Sequence, residues 1–256
     1  MSLWYHHYRV SSNTQLTSNI HRVVLESTDT PISKAKAGEF VMLYIPAVGE
    51  LPLSVFKQKE EELHFVIENY GGASSRAVNL HKGEMVGVRG PYGRGFTLKQ
   101  NTNYLLLAGG SGAPPLLKFV EEAQSTPGVS VTYLLGARSA SELFLLDEAR
   151  SMGARVMVST DDGSMGYKGL ITQLAEKLLS EATYDALYAC GPEQMLLAAM
   201  SLAKRFGVYF EGSFVRDVRC AVGVCGLCVM EGTGRLLCVD GPVFSLHELE
   251  AAQHGG

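Results

Sequence analysis

Four of the five cysteines in this 256-residue chain stand close together: Cys220, Cys225, Cys228 and Cys238. They read C-x4-C-x2-C-x9-C within Arg219-Cys-Ala-Val-Gly-Val-Cys-Gly-Leu-Cys-Val229, which is the plant-type spacing for a [2Fe–2S] cluster. A thiolate is a soft, anionic ligand, and four of them on one short segment can wrap two iron ions. Gly223 and Gly226 fall between the ligands, where the backbone must bend tightly and its N–H groups can face the sulfurs. A structural zinc site would ordinarily pair two short C-x2-C hooks, and only one is present. Disulfides would need an oxidising compartment. The spacing points to a protein that moves single electrons.

A second set of residues suits nucleotides. In Ala108-Gly-Gly-Ser-Gly-Ala-Pro-Pro115, Gly109, Gly110 and Gly112 would let the backbone approach a pyrophosphate at a helix N-terminus. The bland alternative is a tight turn with proline opening a helix. Ala189-Cys190-Gly191-Pro192 repeats the arrangement and sets Cys190 at a strand tip over a crevice, although a free cysteine is more often packing material. Gly90-Pro-Tyr-Gly-Arg-Gly-Phe96 offers Gly90, Tyr92 and Gly93 to a flat ring. Tyr70-Gly-Gly-Ala-Ser-Ser75 offers Gly71, Gly72, Ser74 and Ser75 to a phosphate. Both would also serve as plain turns. Asp161, in Thr160-Asp-Asp-Gly-Ser164, could bind ribose or carboxamide groups, or merely cap a helix. The seven histidines are scattered without an H-E-x-x-H pattern, which argues against catalytic zinc.

The elements that would position these residues have three textures. Short alternating runs at 3–10, 20–26, 39–45, 63–68 and 85–89, with one helical stretch near 74–80, suggest a small antiparallel β-barrel over residues 1–98. Residues 99–212 alternate: strands at 104–108, 129–135, 154–159 and 186–189, helices at 114–124, 141–152, 170–179 and 193–206. That pattern gives a parallel, doubly wound α/β sheet with ligands at the carboxyl ends of its strands. Residues 213–256 are Gly- and Cys-rich, too short to bury much core, and need the metal cluster as a staple.

Apolar content of 46% and charged content of 19% are those of an ordinary globular protein. The net charge of −4 offers no basic surface for nucleic acid. No apolar run approaches the ~20 residues that cross a bilayer. The opening Met-Ser-Leu-Trp-Tyr-His-His-Tyr-Arg has no signal-peptide pattern, so a cytoplasmic location is expected.

Taken in order, the barrel, Ala108–Pro115, Thr160–Ser164, Cys190-Gly-Pro and the four cysteines resemble the ferredoxin–NADP reductase superfamily. More closely, the chain resembles the electron-transfer subunits of NAD-dependent, type B dihydroorotate dehydrogenases, over essentially its full length. The most specific element is Cys220–Cys228 followed by Cys238-Val-Asp-Gly-Pro-Val-Phe244. The resemblance implies FAD on the barrel, NAD on the α/β domain and a [2Fe–2S] cluster in the C-terminal segment. It puts Ser54 near the flavin N5, in a motif whose Pro52 and Val55 are further cofactor-binding candidates, and makes Ser54 and Cys190 the catalytic candidates. It assigns Gly71, Gly72, Ser74 and Ser75 to the FAD phosphates, and Gly90–Phe96 to the ring or its ribityl chain. Gly109, Gly110 and Gly112 go to NAD, with Cys190 near the nicotinamide, and Asp161, Gly191 and Pro192 are further cofactor-binding candidates.

The implied function is electron transfer in pyrimidine biosynthesis. An FMN-containing catalytic subunit, joined in a heterotetramer, would deliver electrons through the cluster and FAD to NAD+. The chain itself shows no residue set for deprotonating dihydroorotate. Relatives with the same cofactors serve ferredoxin, sulfide or sulfite reductases, or hydrogenases. One departure stands out: the family's flavin motif begins Arg-Pro-x-Ser, whereas here it reads Leu51-Pro52-Leu53-Ser54-Val55. Leucine offers no charge-assisted hydrogen bond. FAD then binds more weakly, or Arg76 or Arg94 compensates, or the chain is a flavin-less redox sensor. Arg138 and Glu142 leave NAD and NADP both open.

Overall fold

The computed structural model describes residues 4–250. Leu3 of the first expected strand and residues 251–256 of the C-terminal segment lie outside the described residues. Seven strands form the first sheet: β1 (His6–Gln15), β2 (Ile20–Ser27), β3 (Phe40–Ile45), β4 (Gly49–Ser54), β5 (Lys57–Lys59), β6 (Glu62–Glu68) and β7 (Met85–Tyr92). Every pairing is antiparallel, in the order β4-β3-β7-β1-β2-β6-β5. Period-two alternation turns Tyr8, Val10, Val23, Leu25, Val41, Leu43, Phe65 and Val88 inward to one core. The helix α1 (Gly72–Val78) closes that core with Ala77 and Val78. Strands β4 and β5 were not expected from the sequence. They are the two edges of the sheet, where a proline such as Pro52 and short polar runs such as Lys57–Lys59 are tolerated.

The second sheet is parallel apart from one edge strand. Its elements run β8 (Asn103–Gly109), α2 (Ala113–Ala123), β9 (Ser130–Ala137), α3 (Leu146–Ser151), β10 (Arg155–Thr160), β11 (Tyr167–Lys168), α4 (Ile171–Glu181), β12 (Ala186–Cys190), α5 (Glu193–Phe206) and β13 (Tyr209–Ser213). The strand order β11-β10-β9-β8-β12-β13 reverses direction of growth at β8. A crevice therefore opens at the carboxyl ends of β8 and β12. The helix expected over 141–152 is interrupted: a short 3-10 turn at Ala140–Glu142 precedes α3, which forms over its second half, and between them Leu145 takes a left-handed conformation at φ 57°. Phe144 and Leu145 bury their side chains instead of continuing a helical face.

The C-terminal segment does not stand apart. After the cysteine loop come α6 (Leu237–Asp240), β14 (Val243–Ser245) and α7 (Leu246–Glu250). β14 pairs antiparallel with β13 and extends the second sheet. Cys228, Met230, Leu237, Cys238 and Phe244 share one apolar core with Phe40 and Tyr92 of the first sheet and Leu105 and Leu107 of the second.

Candidate functional site

A cleft of about 150 Å³ opens where the three parts meet. Pro52, Leu53 and Ser54 of β4 form one wall, Ser111, Gly112, Pro115, Cys190 and Gly191 another. The floor and rim come from Pro242, of the Cys238–Phe244 motif, and from residues the sequence did not single out: Phe40, Ser213, Phe214, Arg216 and Leu237. No local motif marks these five; topology alone assembles them. The two glycine turns meet here because β8 and β12 are neighbours, pairing Ala108 with Cys190. A Cβ on Gly112 would lie 2.0 Å from the Cys190 carbonyl oxygen, so only glycine lets the loops close on one another. Cys190 is buried and lies beside Ser213, and burial pushes its thiol up to about 12, leaving it protonated at neutral pH.

The other expected residues divide. Gly71, Gly72, Ser74 and Ser75 sit together at the start of α1. Open space surrounds the positions a Cβ would take on Gly71 and Gly72, as a backbone cradle for a phosphate requires. The Ser74 hydroxyl shapes the loop, donating to Gly71 O at 2.7 Å and accepting from the Tyr70 N–H at 2.9 Å. The Tyr70 hydroxyl meets Ser111 at 3.0 Å, bridging this loop to the Gly109–Gly112 turn. Asp161 is exposed on the loop after β10. Pro192 precedes the first turn of α5.

Gly90, Tyr92 and Gly93 face another seam. Tyr92 is buried with its ring centroid 5.9 Å from that of Phe40. A Cβ on Gly93 would meet the Gly241 carbonyl at 2.4 Å. This turn packs the barrel against the cysteine segment rather than lining the cleft. Val55 and Leu51 also point into the barrel core. Strand alternation thus directs Leu51 away from the cleft and sets Pro52 at its edge. Arg94 donates to Val243 O and to both oxygens of Glu248, each at 2.6 Å, so it holds the C-terminal segment. Arg76, on α1 beside Ser75, pairs with Glu84.

The cysteine loop carries a suitable donor set. The N–H groups of Val222 and Val224 reach the Cys220 sulfur at 3.5 and 3.4 Å, and that of Cys238 reaches the Cys228 sulfur at 3.5 Å. Gly223, at φ 77°, faces its N–H toward Cys238. Backbone donors from Val222, Cys225 and Val224 draw the Cys220 thiol down to about 6, whereas burial pushes Cys238 up. Cys225 acts on the Cys220 thiol, and both Cys228 and Cys220 act on that of Cys238, so the four share one electrostatic neighbourhood. Among the described residues no three thiol, imidazole or carboxylate groups converge on one point. Four thiols on one loop match the demand of a two-iron centre, in which each iron takes two thiolates.

Residues 106–200 match the family model of the oxidoreductase NAD-binding domain, and residues 216–250 that of the iron–sulfur cluster binding domain of dihydroorotate dehydrogenase B. The chain is 38% identical over 219 residues to a probable dihydroorotate dehydrogenase B (NAD(+)), electron transfer subunit, of Methanopyrus kandleri, covering 86% of this chain and 82% of the relative. A protein of the same description from Methanothermobacter thermautotrophicus is 35% identical over 257 residues, covering 96% and 94%. Among solved structures, that of an NADH-dependent reduced ferredoxin-NADP oxidoreductase superposes with a TM-score of 0.85 at 27% identity, over 94% of this chain and 88% of that one. A flavohemoglobin from Malassezia yamatoensis shares the fold at 20% identity, with a TM-score of 0.71 over 80% of this chain and 57% of that one.

Proposed function

The chain belongs to the electron transfer subunits of NAD-dependent dihydroorotate dehydrogenase B, and we propose that it carries electrons between an FMN-containing catalytic subunit and NAD+. The route is a [2Fe–2S] cluster on the four cysteines and an FAD on the barrel, within pyrimidine biosynthesis in the cytoplasm. The supporting observation is a shared core: Cys228 and Cys238 pack with Phe40 and Leu237, and those two residues also line the cleft. Two of the four cysteines and the cleft wall are thereby packed into one core. The working units are residues 1–98 for FAD, 99–212 for NAD and 213–256 for the cluster.

When bound, FAD supplies the conversion between paired electrons of a hydride and the single electrons of iron. The chain's own residues bind and orient. Gly71, Gly72 and Ser75 offer donors to the FAD phosphates, with Arg76 the neighbouring cation that stands in for the arginine absent at position 51. Pro52 and Ser54 flank the flavin ring, and Val55 anchors their strand from within the core. Gly109, Gly110 and Gly112 open α2 to the NAD phosphates. Gly191 and Cys190 form the opposite wall for the nicotinamide, with the protonated thiol a neutral packing surface rather than a nucleophile. Asp161 and Pro192 border the ribose side. Around the exposed Cys225, Val224 at 83% and Leu227 at 52% exposure present an apolar face, suited to the catalytic subunit.

Co-expression with an FMN-containing dihydroorotate dehydrogenase subunit tests the reading. A heterotetramer that holds FMN, FAD and iron and reduces NAD+ with dihydroorotate is the expected result. A chain that neither joins that subunit nor restores NAD+ reduction overturns it. The 0.85 TM-score with the ferredoxin-NADP oxidoreductase structure favours one second reading, a ferredoxin-type acceptor in place of the catalytic subunit.

A further inference from the structure

We propose that Arg89 is a positioning residue that fixes the first cluster ligand against the flavin barrel, an inference that rests on the functional reading above. Arg89 lies on β7 and is 6% exposed. Its Nε and Nη2 donate to the two carboxylate oxygens of Glu50 at 2.5 and 2.8 Å. The same guanidinium also reaches across to the cysteine loop. Nη1 donates to the Cys220 carbonyl at 3.0 Å and Nη2 to the Arg219 carbonyl at 3.2 Å. Nη1 also reaches the Tyr92 hydroxyl at 3.1 Å. The Tyr5 hydroxyl donates to Glu50 Oε1 at 2.7 Å, and the Tyr5 and Tyr92 rings flank the guanidinium carbon at 6.0 and 5.4 Å.

A buried cation needs a counter-charge, and Glu50 supplies it. The counter-charge does not account for the two loop carbonyls. Those belong to the residues that open the cluster loop, a stretch with neither helix nor long strand to hold it. A guanidinium is a rigid fork of five donors, so it can grip a carboxylate and two carbonyls together; an ammonium cannot span all three. The fork sets where Cys220 stands relative to the barrel. It also places a positive charge beside a ligand of an anionic cluster, favouring the more negative, reduced state. Arg94 secures the far end of the segment from a half-exposed position. Arg89 secures the near end from a buried one.

The test compares wild type with Arg89→Met and Arg89→Lys in the full chain loaded with FAD and iron, under anaerobic conditions. NADH supplies two electrons as hydride, and the cluster accepts one at a time. In Arg89→Met, flavin bleaching by NADH should keep its wild-type rate while cluster reduction slows about tenfold or more. The EPR line shape of the dithionite-reduced cluster should change. Amide exchange at residues 219–225 should quicken about tenfold to a hundredfold, as expected for the loss of charge-assisted hydrogen bonds. Arg89→Lys, which keeps the charge and folds conservatively, should recover part of the EPR line shape but not the exchange protection. Either variant with wild-type line shape, cluster reduction and exchange overturns the proposal. A wild-type cluster that NADH never reduces overturns the functional reading instead.

Discussion

Along β8 and β12, Tyr104, Leu105, Leu106, Leu107 and Ala108, and then Ala186, Leu187, Tyr188 and Ala189, are all buried, and helices cover both faces of the sheet. From Val215 to Leu236 the chain has no helix or strand beyond one isolated bridge between Val229 and Leu236, and it leaves Val215, Val224 and Leu227 in solvent. The nucleotide half holds its binding loops by apolar burial. The cysteine segment sends only scattered side chains, among them Cys228, Met230, Leu237 and Cys238, into the shared core, and adds point attachments: Arg89 at Cys220, Arg94 at Val243 and the β13–β14 pairing. Burial is cooperative and spread over many residues. Point attachments are few, polar and separable, so each region should fail in its own way.

Removing a thiol should give the largest effect. Cys228→Ser or Cys238→Ser is expected to abolish cluster assembly and expose residues 215–240 to protease, with FAD still bound; iron analysis and limited proteolysis check this. Leu107→Ala attacks the other region. A cavity under the central strand should cost about 2–5 kcal/mol and lower the melting transition of the whole chain, seen by calorimetry. Arg94→Met is smaller and local: about 1 kcal/mol, appearing as faster amide exchange at residues 241–250 without a change in flavin content.

The same contact should respond to acid. Arg94 holds the Glu248 carboxyl down to about 2, so its contribution is present above the ordinary carboxylate range. It is lost as pH falls from about 4.5 toward 2, because the unfolded state takes up its proton first. Exchange or fluorescence at the C-terminal segment should show loosening in that window and none between pH 6 and 8. The smallest effect on stability is expected from Leu227→Asp, within about 0.5 kcal/mol. The same change should weaken binding to the catalytic subunit, as a pull-down against wild type would show.

Much of this was legible in sequence for local reasons. The cysteine spacing is covalent information, and α5 forms over the residues its apolar period marks, Glu193–Phe206. The βα alternation likewise exposed the parallel sheet and the glycine turns at its strand ends. What escaped depends on partners distant in the chain. β14 is three residues long, too short to show a period, and exists because β13 offers it an edge. β4 and β5 lack strand character and are completed by pairing. Tyr92 and Gly93 also pack at the barrel–cysteine seam, a contact their own motif does not announce. No spacing rule links Glu50, Arg89 and Cys220, which only the folded chain brings together.

The most direct measurement is anaerobic titration of the isolated, reconstituted chain with NADH, followed by flavin absorbance and cluster EPR together. The account predicts FAD bound on the barrel, bleaching by NADH and a reduced [2Fe–2S] signal arising on the same polypeptide. Iron and sulfide present on a chain that takes up no FAD, or whose cluster stays oxidised after the flavin bleaches, would contradict it.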